Sequence, residues 1–189
     1  MSMLFDLRRL PAAQLHSLLA GPSDIFFFLH GQEPYQPPKG FFQRIFKGNP
    51  KQKTENKWEP PAEGAVLELD KNWHVLHYLF CRSTEDGELP AATLLCGGQE
   101  IGSVDVGYGP AKALLPDEVE RFYQFLTSLS KESYWQGVTA QVLEENEIYG
   151  AYPEWGEEDA LSLWECVEQM KSFLARAAAN GEGVILYVY

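Results

Sequence analysis

The chain has 189 residues, 45% of them apolar and 13% aromatic, and a formal net charge of −12. This length and composition fit one globular domain with a substantial core, since a chain of this size buries about 70% of its unfolded surface. The negative charge argues against general nucleic-acid binding and favours either solubility or a basic partner. The longest apolar runs, 25–29 and 184–189, fall far short of the roughly 20 residues that cross a bilayer, so we expect no membrane span.

The cysteine pattern predicts the cellular compartment of the protein. Cys81, Cys96 and Cys166 form no CxxC pair and cannot all be joined within one chain. Together with the absence of a signal peptide, this pattern is typical of a reducing environment. We therefore expect a cytoplasmic protein.

The first 30 residues predict three short elements. Residues 3–7 are apolar and short, which favours an entering strand. Pro11 fits a first helical turn, and the apolar spacing of residues 12–19 predicts an amphipathic helix that ends before Gly21. The apolar run 23–30 should be buried, and we favour a helix over a strand, although so short a run fits both.

Residues 31–64 differ in composition from the rest of the chain. They contain six prolines and four glycines, and six of the fifteen basic residues lie between Lys39 and Lys57 with only one acid. This composition predicts a long excursion loop that one apolar turn attaches to the body of the protein. A basic turn of this length is too short for the usual modes of membrane or nucleic-acid binding.

The stretch from Leu67 to Cys81 predicts a central helix at about residues 71–82. Asp70 precedes it as the expected N-cap, where its carboxylate would accept a hydrogen bond from the first turn. One side carries a stripe at spacings of four, three and four, which is typical of a core-facing surface. The stripe consists of Leu69, Trp73, Leu76 and Phe80.

A second stripe on this helix consists of Asp70, His74, His77 and Cys81. A carboxylate, two imidazoles and a thiol can bind a metal. However, its two end residues would lie about 16 Å apart along one helix, so only neighbouring pairs could share an ion. We therefore favour structural roles, with His77 at the core edge and His74 on the surface, and we expect no metal and no cofactor.

The remaining elements follow from periodicity and from glycine and proline positions. Gly107 to Ala111 form a turn that lacks the spacing of a phosphate-binding loop. The predicted elements are short helices at 89–96 and 133–146, a strand at 101–106, a helix at 116–129, an aromatic loop at 148–155, a long helix at 156–181 and a strand at 184–188. The last strand needs a partner for its backbone groups, and the N-terminal strand can supply one. The sequence therefore predicts an α+β fold, a helix-dominated single domain (1–189) with a small sheet that joins the N- and C-terminal strands and a loop at about 31–64.

The order of several motifs resembles the YfbM-like family, bacterial proteins known as a domain of unknown function. The motifs are Asp70-Lys71-x-Trp73-x-x-Leu76-His77-x-Leu79, Gly97-Gly98, Tyr108-Gly109-Pro110-Ala111, the Pro-Asp-Glu-Val helix start at 116–119, Ile148-Tyr149 and the Ala-Ala-x-x-Gly ending at 177–181. The resemblance covers most of the chain and implies one compact domain in a bacterial cytoplasm, with no activity to carry over. The chain departs from the family pattern in the looser loop from Tyr149 to Trp155, and in Leu115, where a capping Thr is usual.

Two functions are compatible with these features. The first is protein binding, including an immunity-like role, in which the acidic, aromatic segment 132–168 docks a basic protein. Its candidate residues are Trp135, Glu144, Glu145, Glu147, Tyr149, Tyr152 and Trp155. The alternative is a small-molecule binder or enzyme with a pocket formed by Asp70, Trp73, His74, His77 and Tyr108. No nucleophile motif, metal spacing or phosphate loop supports a reaction class, so no catalytic residue is predicted.

Overall fold

One antiparallel sheet of five strands organises the fold. The structure is a computed structural model and describes residues 2–32 and 58–189. The strands are β1 (Phe5–Pro11), β2 (Val66–Asp70), β3 (Gln99–Asp105), β4 (Pro110–Leu114) and β5 (Glu182–Val188). Their spatial order is β2-β1-β5-β4-β3.

The pairing of β1 with β5 forms the centre of this sheet. Seven residue pairs are in register, from Phe5 opposite Val188 to Pro11 opposite Glu182. The predicted sheet between the two chain ends is therefore confirmed. It is wider than predicted, because β2 and β4, which the sequence pattern does not indicate, extend it on either side.

Helices cover both faces of the sheet, so the protein has two cores. Leu7 and Leu186 point into the larger core, whereas Leu10 and Ile185 point into the smaller one. Because β5 is buried on both faces, its sequence is a nearly continuous apolar run and does not alternate.

The helices divide between these two cores. Within the described residues they are α1 (Ala12–Ala20), α2 (Ile25–His30), α3 (Trp73–Cys81), α4 (Thr93–Cys96), α5 (Pro116–Ser128), α6 (Ala140–Glu145) and α7 (Glu157–Ala179). Residues of α1 and α2 line the smaller core, and residues of α3, α5 and α7 line the larger one. None of these helices combines the length and apolarity that crossing a bilayer requires.

Local sequence explains where α5 and α7 begin. Glu118 accepts a hydrogen bond from the backbone N–H of Leu115 at 2.8 Å, which supplies a cap that the leucine side chain cannot make. Asp159 likewise accepts from the N–H of Gly156 at 2.8 Å. Three acids in the first turn of α7 lie at the positive end of its dipole. The predicted α+β class, dominated by helices, is confirmed.

The predicted role of Asp70 as a helix cap is wrong. Residues 66–70 form β2, in which Leu67 lies opposite Leu7, and Asp70 ends this strand at a φ of 55°. The helix begins at Trp73, and the preceding Asn72 directs its amide towards the sulfur of Cys166 and makes no side-chain cap. Leu67 and Leu69 fit a strand and also fit a helix, so the sequence before Asp70 does not decide between the two structures. Pairing with the distant strand β1 makes this segment a strand. The predicted burial of Leu69, Trp73, Leu76 and Phe80 is confirmed, but the four do not form one stripe on a helix, because Leu69 belongs to β2.

Two further predictions concern the helix at 133–146 and the excursion loop. The helix predicted at 133–146 is reduced to α6, because Gly137 adopts a φ of 76° in a turn before it. Of the predicted excursion loop, residues 33–57 lie outside the described residues, and they include the basic cluster between Lys39 and Lys57.

Gly183 tests how closely α1 packs on the sheet. A Cβ atom at this position would lie 2.3 Å from Leu15 Cδ2 and 2.8 Å from the Leu114 carbonyl oxygen. We expect Gly183→Ala to lower the free energy of unfolding by about 1 to 3 kcal/mol, the usual range for overpacking. Chemical denaturation measures this, with Gly156→Ala as the control, because a Cβ there meets only one atom, at 3.9 Å. Equal stability of the two variants would contradict the described packing.

Candidate functional site

Trp73, the first residue of α3, is part of the core. It is buried, and its indole N–H donates to the Met3 carbonyl oxygen at 3.4 Å. Its ring stacks on Phe5 and Tyr149, with centroid separations of 6.0 and 5.8 Å. The ring joins β1, α3 and the aromatic loop 148–155. It lines none of three surface cavities of the described residues, which have volumes of about 620, 270 and 80 Å³.

His74 connects two loops to α3, and we call this arrangement the clamp. The prediction that His74 lies on the surface is wrong. It is half-buried, and the N–H of Tyr149 donates to its Nδ1 at 2.9 Å. Nδ1 is therefore an acceptor, so Nε2 carries the proton and donates to the Thr84 carbonyl oxygen at 2.8 Å. The neutral ring fastens two loops to α3.

The buried His77 and the half-buried Cys81 lie side by side, without the properties of a nucleophilic site. His77 is 0% exposed, and its Nε2 lies 3.3 Å from the Cys81 sulfur. Burial lowers the pKa of the His77 imidazole and raises the pKa of the Cys81 thiol. Both groups are thus held neutral, whereas a reactive cysteine needs a stabilised thiolate.

The remaining members of the predicted pocket lie apart from this pair. Asp70 is exposed at the end of β2. Tyr108 lies in the turn between β3 and β4, where its N–H donates to the Val188 carbonyl oxygen at 3.1 Å and 47% of the residue is exposed. The described cavities contain none of Asp70, Trp73, His74, His77 and Tyr108 in their linings. Across residues 2–32 and 58–189, no three His, Cys, Asp or Glu side chains are grouped as metal ligands.

Asp6 is a buried acid that the sequence reading missed. It is 5% exposed in β1, in register with Glu68 on one side and Tyr187 on the other. Tyr187 donates to Oδ2 at 3.2 Å, whereas Oδ1 has no hydrogen-bond partner among the described residues. Burial raises the pKa of this carboxyl to about 6. The available signal was Asp6 between the two apolar residues Phe5 and Leu7 in the predicted strand.

The predicted partner-binding rings are mostly inside the protein. Trp155 is 6% exposed and lies in the larger core, so it cannot anchor a partner in this conformation. Tyr149 and Trp135 are half-buried against the same core, and the Tyr149 hydroxyl accepts from the Met3 N–H at 2.9 Å. Tyr152 alone of these four rings is exposed, at 47%, and its hydroxyl donates to Asp159. Large aromatic rings stabilise a fold most when they are buried, which accounts for the inward position of these side chains.

The three predicted acids are at the surface, and two of them line a groove that the sequence did not indicate. Glu144, Glu145 and Glu147 are exposed. Glu144 and Glu147 line a groove of about 270 Å³ whose other walls are Ala140, Leu143, Ile148, Ala151, Tyr152 and Pro153. We call this the acidic groove. It combines an apolar floor with two carboxylates and no basic side chain.

His74→Ala tests the clamp. The substitution leaves the Tyr149 N–H and the Thr84 carbonyl oxygen without their partner, which we expect to cost about 1 to 3 kcal/mol of unfolding free energy. His16→Ala, at an exposed position of α1, is the matched control and should have little effect. Denaturant titration of both proteins compares them directly, and equal midpoints would show that His74 does not fasten the loops.

Asp6→Asn tests the buried carboxyl. The folded protein holds this proton up to about pH 6, whereas an unfolded chain releases it near 3.8, so the wild type loses stability as pH rises through that window. Two pKa units correspond to roughly 3 kcal/mol as an upper value. We expect the stability of Asp6→Asn relative to wild type to increase from about pH 4 to pH 7 by up to this amount.

Denaturation of both proteins across this pH range measures the difference. A difference between wild type and Asp6→Asn that is constant with pH would show that the carboxyl is not held protonated.

Comparisons with known proteins agree with the fold. The family described as "Domain of unknown function (DUF1877)" matches residues 1–187. The crystal structure of YfbM from Escherichia coli, a protein of unknown function, has a TM-score of 0.66 and 16% identity, and the similarity covers 98% of this chain and 99% of that one. No curated protein shows significant similarity. Because the family match extends over nearly the whole sequence, the chain belongs to the DUF1877 family, the YfbM-like proteins.

Proposed function

We propose that the acidic segment 132–168 is a docking surface for a basic partner protein. The segment contains ten acids and no lysine or arginine. Among the described residues, only Glu168 of these ten forms an ion pair, with Lys171 at 2.9 Å. Like charges held close together repel each other, and a basic partner would relieve that repulsion.

The acidic groove is the observation that carries this proposal. Leu143 and Ile148 on its floor are buried, while Glu144 and Glu147 on its rim are exposed. A lysine or arginine side chain matches this arrangement, because its aliphatic stem can lie on apolar surface while its charge reaches the carboxylates. Tyr152 adds an exposed aromatic wall.

The backbone around the groove is held in place before any partner arrives. Glu147 adopts a left-handed φ of 52°, and the N–H of Ile148 donates to the Leu143 carbonyl oxygen at 2.9 Å. Gly150 lies so close to the turn before α3 that an added Cβ would be 2.6 Å from the Lys71 carbonyl oxygen. A preformed surface loses little conformational entropy on binding, which favours affinity.

The proposal includes a bacterial cytoplasmic setting, which the three free cysteines and the family relationship support. A basic toxin that this protein neutralises would be one partner of this chemistry. Exposed carboxylates guide a basic partner to the surface during association and contribute to specificity. Their attraction weakens as salt is added, because charges are screened beyond about 8 Å at physiological ionic strength.

Neutralising the groove rim tests the proposal. We expect the double substitution Glu144→Gln and Glu147→Gln to weaken binding of the native basic partner about fivefold at low salt, since each exposed charge pair contributes about 0.5 kcal/mol. The partner is first isolated by affinity capture from source cells at low and high salt, and its affinity is then measured by titration calorimetry.

The matched control is Glu85→Gln with Glu88→Gln. These two acids are also exposed and three residues apart, but they lie outside the acidic segment. An equal loss of affinity in both double variants would place the interaction elsewhere. Recovery of no basic partner at either salt concentration would contradict the proposed function itself.

A further inference from the structure

The largest of the three described cavities lies away from the acidic segment, on the side of the smaller core. Its volume is about 620 Å³, within the range of roughly 300 to 1,000 Å³ that small-molecule sites occupy. It runs between β1, the helices α1 and α2, and the segment 58–65. We call it the Arg8 groove, after the charged residue at its inner wall.

Arg8 is a buried cation without an acidic partner. It is 6% exposed, and no carboxylate lies within 4.0 Å of it among the described residues. Its Nη1–H donates to the Phe28 carbonyl oxygen at 2.7 Å, and its guanidinium carbon lies 3.9 Å from the centroid of the Phe28 ring. One carbonyl uses only one of the five N–H donors of a guanidinium, so donors remain for a ligand.

The other charges of the groove limit the kind of anion that would fit. Arg9 is paired with Glu182 at 2.7 Å and is already neutralised. Asp24 and Glu59 also line the groove, and both are exposed. These two carboxylates would repel a multiply charged anion at the entrance, whereas a single negative charge can reach the guanidinium inside.

Part of the groove wall is formed by apolar side chains, and one of them is held by a hydrogen bond and close packing. Leu18, Phe27, Phe28 and Trp58 contribute to this part of the wall. The indole N–H of Trp58 donates to the Phe28 carbonyl oxygen at 3.2 Å, and its ring packs so closely on Gly31 that an added Cβ would be 2.8 Å away. Three aromatic rings beside a buried guanidinium suit an organic molecule with an apolar body.

We propose that the Arg8 groove binds a small organic monocarboxylate, whose carboxylate pairs with Arg8 and whose apolar body lies against Phe27, Phe28 and Trp58. A buried charge is costly without an opposite charge, and a carboxylate matches the planar guanidinium with two parallel hydrogen bonds. This site is independent of the acidic groove, so either proposal can fail alone.

The test uses titration calorimetry of the full chain with phenylacetate, 4-phenylbutyrate and octanoate. We expect saturable binding of one equivalent of at least one of these acids, and at least about tenfold weaker binding of its neutral amide, since loss of a charge-assisted pair costs about 1.4 kcal/mol or more. We also expect Arg8→Met to lose about tenfold or more, while Arg121→Met, at an exposed residue of α5, binds as the wild type does.

Further measurements separate binding from folding. Circular dichroism reports whether Arg8→Met is folded, and Arg8→Lys, which keeps the charge without the planar fork, should bind several-fold more weakly than wild type. The proposal is overturned if none of the three acids binds, if acid and amide bind equally, or if Arg8→Lys and a folded Arg8→Met bind as tightly as wild type. Displacement of the bound acid by inorganic phosphate would overturn the choice of a monocarboxylate.

Discussion

The pairing of β1 with β5 is the constraint on which the rest of the structure depends. These strands lie near the two ends of the sequence, so their contact closes almost the whole chain into one loop. β5 is apolar on both faces, whereas β1 adds Phe5 and Leu7 to the larger core and places the buried Asp6 and Arg8 beside Leu10 on the face of the smaller core. The larger core holds α3, α5 and α7, between which the acidic segment runs. The smaller core holds α1 and α2, which form one wall of the Arg8 groove. Both proposed binding surfaces are therefore positioned by the same two strands.

In the acidic segment, the side chains that stabilise the fold are different from the side chains that carry the charge. Its rings are turned inward: Trp155 lies in the core, and Tyr149 stacks on Trp73. Its carboxylates are turned outward, and burying rings stabilises the fold whether or not a partner is bound. This division explains how a segment with ten acids can hold a defined shape, because the free energy comes from apolar contacts with α3 and α7 and the charge remains available for recognition.

Sequence periodicity was sufficient where an element carries its own signal. The helices α1, α5 and α7 have apolar stripes and clear end signals, and β5 is a compact apolar run. Periodicity was insufficient where pairing with a distant strand decides the structure. β2 is a strand because it pairs with β1, and β4 is a strand because it pairs with β5. Asp70 ends a strand for the same reason. Site residues followed the same rule. The exposed glutamates could be predicted from charge alone, whereas the burial of Trp155, the clamp at His74 and the burial of Asp6 and Arg8 depend on contacts between distant segments.

The most direct measurement of the central claim, that a partner docks on the acidic segment, is site-specific photo-crosslinking in source cells. Tyr152 in the acidic groove and Tyr108 in the turn between β3 and β4 are both 47% exposed, so a photoreactive phenylalanine at either position meets solvent equally. The account predicts that the probe at Tyr152 captures a basic protein and that the probe at Tyr108 does not. Capture of the same protein at Tyr108 alone would contradict it.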